Sequence, residues 1–324
     1  MADGTRELIL SPAEKQLAAP FLKWLAPEHI AGKKELVVNR PYQVGFEAFD
    51  GSWEFFEAPD LSLEALMGFL NLLAERTGQT YNMANPLLSV KLPGGHRAQF
   101  VAGLQNAKQF SVSVRIANER AFTLDSYDMS PEDKAAVIEA VKNRETILIS
   151  GGTGTGKTSF MNALLPYIPE DDRLVVLEDV PELKLTQNNV VHMLFANFTK
   201  NQQGEGGRQA AVNELLNATL RLRPDRIIMG EIRKENAFTF CSAINTGHQG
   251  SMATVHANSA SAAIDAVINR VMLNGDTTDG AMTILRRQLE GDIAGVVQLE
   301  RDIAKVRATF VRLKEKRPPS QPQH

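Results

Sequence analysis

Cysteine is nearly absent from this chain of 324 residues, with Cys241 the only one. A disulfide framework within one chain is therefore excluded, and so is a zinc site built on several cysteines. Long apolar runs are missing as well, since no stretch approaches the roughly 18 residues of a membrane span. The opening segment, MADGTRELILSPAEKQ, has no apolar core behind a basic start, so no secretory signal is expected there. Neither sign of charge dominates. With 35 Lys and Arg against 38 Asp and Glu, the formal net charge is −3. That balance gives no global attraction to nucleic acid and leaves room only for a local basic channel, so direct nucleic-acid binding is not supported. Hydrophobic residues at 43% and charged residues at 23% suit an ordinary globular protein, which is expected to be cytoplasmic. Cys241, in AFTFCSAINTG, reads as a buried packing residue on a helix.

The length suits two domains. Residues 1–120 read as an α+β domain. KELVVNR, YQVGFEAF and DGSWEFFEA are predicted strands, the last two joined through an Asp50-Gly51 turn. LSLEALMGFLNLLAER has apolar residues at helical spacing and stops at Gly78. LLSVKL, HRAQFVAGL and FSVSVRIA then read as strands. Residues 121–132 are polar and unpatterned, a linker. Ser130-Pro131 opens a helix over 131–143, with Ser130 as N-cap. From there strands alternate with helices: TILIS, a Gly loop, helix 157–166, RLVVLED, helix 209–222, RIIMGEI, helix 234–245 and SMATVHA. This order predicts an α/β domain over 133–316 with a mainly parallel sheet. IAGVVQLERDIAKVRATFVRL reads as an antiparallel pair turning near Asp302, and 317–324 as a disordered tail.

What is there in abundance is glycine at one place. ILISGGTGTGKTSF fits G-x-x-x-x-G-K-[ST] from Gly151 to Thr158, after a strand and before a helix, as a phosphate-binding loop requires. Gly152, Thr153, Gly154, Thr155 and Gly156 would aim backbone N–H groups at an anion, and the helix start adds its dipole. Lys157 would reach the β- and γ-phosphates of ATP. The Thr158 hydroxyl would ligate Mg²⁺, with Ser159 beside it.

A nucleotide hydrolase also needs acidic groups at neighbouring strand ends. Glu178 closes RLVVLE, followed by Asp179 and Glu182, and Glu231 follows RIIMG. Glu178 is the first choice for activating water and Glu231 for acting on Mg²⁺, although the two roles are exchangeable or could act through water. Many phosphate-loop enzymes carry Asp where Gly230-Glu231 stands here. In SMATVHA, Met252, Thr254 and His256 share one face. His256 thus falls near the γ-phosphate and could sense it. His248 lies in the preceding turn, TGHQG, where it shapes the turn or meets a neighbouring subunit. No third ligand stands at a spacing suited to zinc.

The loop GGTGTGKTS, the acidic box LEDVPEL, the strand segment LRLRPDRIIMGEIR and the histidine box TGHQGSMATVHANSA together resemble the type II/type IV secretion traffic ATPases. Within them the chain is most similar to the hexameric type IV secretion and conjugation branch. ELVVNRP and LPGGHRAQFV…SVSVRI share the resemblance, which covers about residues 30–312. It implies a RecA-like motor domain behind an N-terminal domain, a ring of six subunits, and work at the bacterial inner membrane beside secretion-channel subunits and a coupling ATPase. It also implies that Arg97 and Arg115 contact the nucleotide phosphates. The residues themselves agree: in a hairpin centred on Asn106 the two arginines face each other, a placement that favours an anion between them. Arg221, Arg223 and Arg233 flank RIIMGEI, which the resemblance implies is an atypical Walker B strand with Glu231 as its acid, and it implies that arginines of this region serve the nucleotide or the subunit boundary, without saying which.

The expected function is an Mg-dependent ATPase that acts as motor or switch of a type IV secretion or conjugation machine, peripheral to the membrane. A pilus retraction or extension ATPase is the alternative within the enzyme class. A nucleotide-gated scaffold with little hydrolysis is the alternative of another class.

Overall fold

The computed structural model describes residues 10–82, 85–103, 110–117, 122–179, 181–195, 214–215, 217–275, 279–302 and 305–314. The chain divides into two compact units, Met1–Arg120 and Ala121–His324.

The first unit begins with α1 (Pro12–Leu22) and the short α2 (Pro27–Ile30). Sequence reading had not predicted α1, yet its signal is local: Ser11 and Glu14 form a reciprocal capping box and Pro12 occupies the first turn. Strands β1 (Lys33–Val38), β2 (Gln43–Ala48) and β3 (Trp53–Glu57) follow, then α3 (Leu63–Thr77), β4 (Leu87–Lys91), β5 (Arg97–Ala102) and β6 (Phe110–Arg115). Gly78 ends α3 in the left-handed conformation. The sheet runs β3-β2-β1-β6-β5-β4 and every pairing is antiparallel. Alternation decides its faces. Leu88, Val90, Phe100, Phe110, Val112, Val114, Leu36 and Val44 pack against Phe21, Phe69 and Leu70 of the helices.

The second unit holds α4 (Pro131–Lys142), β7 (Thr146–Gly151), α5 (Lys157–Leu164), β8 (Leu174–Glu178), β9 (Val190–Leu194), β10 (Arg226–Met229), α6 (Ala237–Asn245), β11 (Met252–Val255), α7 (Ala260–Leu273), α8 (Asp279–Asp292), β12 (Ile293–Arg301) and β13 (Val306–Arg312). The sheet order is β13-β12-β7-β11-β10-β8-β9, parallel throughout except for β12 with β13. The apolar runs of β7, β8, β10 and β11 are buried on both faces, as a parallel sheet demands. One core gathers Ile147, Ile149, Val176 and Ile228 beneath α4 and α5. The other gathers Leu148, Ile227, Met229 and Val255 against α6 and α7.

Of the helix expected over 209–222, residues 214–215 and 217–221 are helical, and 209–213 and 216 lie outside the described residues. The tail 317–324 lies outside them too. Part of the segment expected as a linker is built onto the second unit: Asp128 donates its N–H to Val306 and accepts from the N–H of Ala308. Polar Asp128 finds its backbone partners on β13, which its composition alone does not reveal.

At the amino ends of these strands, Arg226 is fully buried and its Nε meets Asp172 Oδ2 at 2.5 Å, while Nη1 donates to the Val141 carbonyl at 2.6 Å. Asp172 also binds Arg144. Removing one partner would strand the other charge in the core. Asp172→Ala is expected to lower unfolding free energy by about 3–5 kcal/mol in urea titrations.

Candidate functional site

Because β7, β11, β10 and β8 run parallel, their carboxyl ends share one edge of the sheet. The glycine loop leaves β7 there. Gly154 and Gly156 have φ of 73° and 82°, in the left-handed region that a side chain would strain. Thr155 is buried and donates to the Gly152 carbonyl at 3.0 Å, closing the loop on itself. Gly152 is partly exposed, and Thr153 and Gly154 are exposed. Helix α5 starts at Lys157 with no side-chain cap on its first N–H groups, and Thr158 and Ser159 stand part-buried on its first turn. Those N–H groups and the dipole make an anion-binding end.

Lys157 turns back into this loop. Its ammonium donates to the Gly151 and Gly152 carbonyls at 3.0 and 2.8 Å and meets His256 Nδ1 at 3.1 Å. An ammonium carries only donors, so Nδ1 accepts and the imidazole proton sits on Nε2. That nitrogen faces Glu231 Oε1 at 3.2 Å. Burial, then the neighbouring Lys157 charge, hold the His256 pKa below its ordinary value, so the ring is neutral near pH 7. Glu231 Oε2 accepts from Arg233 Nε and Nη2 at 3.3 and 3.2 Å, and Arg233 Nη1 lies 2.6 Å from Asp179. Burial opposes the Arg233 charge, but Asp179 and Glu231 outweigh it and raise its pKa. The result is one chain of contacts, Lys157–His256–Glu231–Arg233–Asp179, from the start of α5 across the ends of β11, β10 and β8.

Glu178 closes β8 and is buried. Its carboxylate accepts from the N–H groups of Glu182 and Leu183, and from His192 Nε2 at 2.6 Å. Gly230 explains itself here. A Cβ at that position would meet Glu178 Cγ at 3.0 Å, so a side chain there would press on Glu178, and an Asp would also set a second carboxylate beside it.

Lys157 and Glu231 thus both meet His256, and Glu178 lies beside Gly230 on the adjacent strand. Arg233 is the arginine of the three near the Walker B strand that joins the acids, and sequence spacing could not single it out. His192 was not foreseen either. His248 accepts at Nδ1 from Thr246 or donates to the Ala243 carbonyl, at 3.4 and 3.2 Å, and so finishes the turn after α6. Cys241 is buried in α6, where desolvation pushes its thiol up to about 12. In the first unit, Arg97 stands directly opposite Arg115 across β5 and β6, with Lys91 and Glu35 extending the row.

The description "Type II/IV secretion system protein" belongs to the family model that matches residues 87–312. The chain belongs to that family. A relative 31% identical, the type IV secretion system protein VirB11 of Bartonella henselae, aligns over 96% of this chain and 94% of its own length. Two solved structures are similar in fold. The ATPase DotB of Yersinia pseudotuberculosis has a TM-score of 0.62 at 17% identity, covering 97% of this chain and 82% of that one. The pilus retraction motor PilT with bound ADP has a TM-score of 0.60 at 19% identity, covering 90% and 82%. Membership in the secretion family fits the order of motifs along the chain, and the two structures share its α/β architecture.

The turn that presents Glu231 and Arg233 depends on buried Asn236. Its Oδ1 accepts from the Arg233 N–H at 2.8 Å and its Nδ2 donates to the Glu231 carbonyl at 3.0 Å. Asn236→Ala is expected to cost about 1–3 kcal/mol of stability, read by chemical unfolding. An unchanged midpoint would mean that the turn holds itself.

Proposed function

We propose that this chain hydrolyses Mg·ATP as the motor or switch of a type IV secretion or conjugation machine. The observation that carries the reading is the contact of Lys157 with both loop carbonyls and His256, which in turn faces Glu231. A γ-phosphate entering the loop would compete for the Lys157 ammonium and so reach the histidine and the Walker B acid together.

The donor set fits a triphosphate. The loop N–H groups and Lys157 would hold the β- and γ-phosphates. The Thr158 hydroxyl, with Glu231, would hold Mg²⁺, which when bound neutralises charge developing on the phosphate oxygens. Glu178 would accept a hydrogen bond from the attacking water and orient it. His256, neutral and protonated on Nε2, would report the γ-phosphate by changing partners. As the resemblance implies, Arg97 and Arg115 would add positive charge to the phosphates.

The named relative is a type IV secretion protein, and this role is carried over as part of the proposal. So are a homohexameric ring, partners among channel subunits and a coupling ATPase, and a cytoplasmic place on the inner membrane. Among the described residues no helix is long and apolar enough to cross a membrane.

Lys157→Ala is expected to abolish ATP binding and turnover, and Glu178→Gln to reduce turnover at least about 100-fold while nucleotide still binds. Steady-state phosphate release and fluorescent-nucleotide titration measure both. Equal, near-zero rates for wild type and Glu178→Gln would favour the nucleotide-gated scaffold instead.

A further inference from the structure

Strand β9 was not predicted from the sequence, and among the described residues it carries the one side chain that binds Glu178. β9 pairs in parallel with β8, His192 opposite Val176 and Leu194 opposite Glu178. Val176, Glu178 and His192 therefore lie on one face of the sheet. A carboxylate has about four acceptor positions. On Glu178, Oε1 accepts from the Glu182 and Leu183 N–H groups at 3.1 and 3.2 Å. Oε2 accepts from the Leu183 N–H at 3.3 Å and from His192 Nε2 at 2.6 Å. The single Leu183 N–H is shared between the two oxygens, so three donors hold the carboxylate, and His192 makes the shortest contact and the only unshared one on Oε2 among the described residues.

The donors are unequal. The N–H groups of Glu182 and Leu183 belong to a turn that Asn162 of α5 grips from both sides. Asn162 donates to the Glu182 carbonyl at 3.0 Å and accepts from the Lys184 N–H at 2.7 Å. These donors are fixed in place by α5. His192 stands on the edge strand of the sheet, its side chain 30% exposed where that of Glu178 is 3% exposed. It is the donor that a rotation of its own side chain can withdraw.

We propose that His192 is a positioning residue that parks Glu178, occupying on Oε2 the acceptor position the attacking water needs, and that hydrolysis proceeds when His192 swings away. This rests on Glu178 being the group that orients water.

The test compares kcat and KM for ATP in wild type, His192→Met, His192→Gln and Glu178→Gln, with thermal unfolding of each. His192→Met removes the donor at similar size, and His192→Ala replaces it should the first variant fold poorly. His192→Met is expected to raise kcat about fivefold or more with KM little changed, since one hydrogen bond to a charged group no longer has to break. His192→Gln keeps an N–H donor and is expected to stay near wild type. A merely structural histidine would not raise kcat when removed. If Glu178→Gln is inactive and His192→Met is no faster than wild type, the parking role is overturned. An equal gain in His192→Gln and His192→Met overturns it too, because the donor would then not matter. If Glu178→Gln retains full turnover, it is the assignment of Glu178 that fails, and the parking role with it.

Discussion

The backbone hydrogen bonds that hold β7, β11, β10 and β8 in parallel register fix the position of everything at the site. Val255 pairs with Ser150, Met229 with Ala253, and Leu177 with Met229. Each strand therefore delivers its next residues to the same edge: the glycine loop, His256, Gly230-Glu231 and Glu178-Asp179. A slip of one residue in any strand would turn its side chains to the opposite face and break the set. The apolar residues of these strands, buried on both faces, hold the register. At the far end, the buried Arg226–Asp172 pair ties β10 to the segment entering β8.

At the carboxyl edge, opposite charges alternate. Lys157, the neutral His256, Glu231, Arg233 and Asp179 form a chain in which every charged group has a partner. Such a chain can be rearranged by one competitor. An anion that binds Lys157 more strongly than the loop carbonyls and His256 do would release the ring, and the ring in turn faces Glu231. In the proposed reading, ATP and ADP differ in this one contact, and that difference is what can shift the protein between states.

Much of this was legible in the sequence because the signals are local. The loop needs glycines and a lysine at fixed spacing, and alternation in SMATVHA put Thr254 and His256 on one face. Symmetry about Asn106 set Arg97 opposite Arg115, the register seen in the sheet. The capping box at Ser11 was equally local but was overlooked. What could not be read depends on pairing between distant segments. VVHML has five residues and no clean alternation, and His192 matters only because β9 lies beside β8. Arg233 could not be told from Arg221 and Arg223 until the position of Asp179 was known. Gly230, a departure from the usual Asp, lies close against Glu178, a neighbour that only the strand pairing brings there.

The central claim is that nucleotide takes Lys157 from His256 and so couples the loop to the Walker B acid. A structure of the protein with Mg²⁺ and a non-hydrolysable ATP analogue tests it most directly. The account predicts the γ-phosphate within hydrogen-bonding distance of Lys157 Nζ, Mg²⁺ on the Thr158 hydroxyl, and His256 turned to the phosphate. Nucleotide bound away from the glycine loop, or bound there with the Lys157–His256 contact intact, would contradict it.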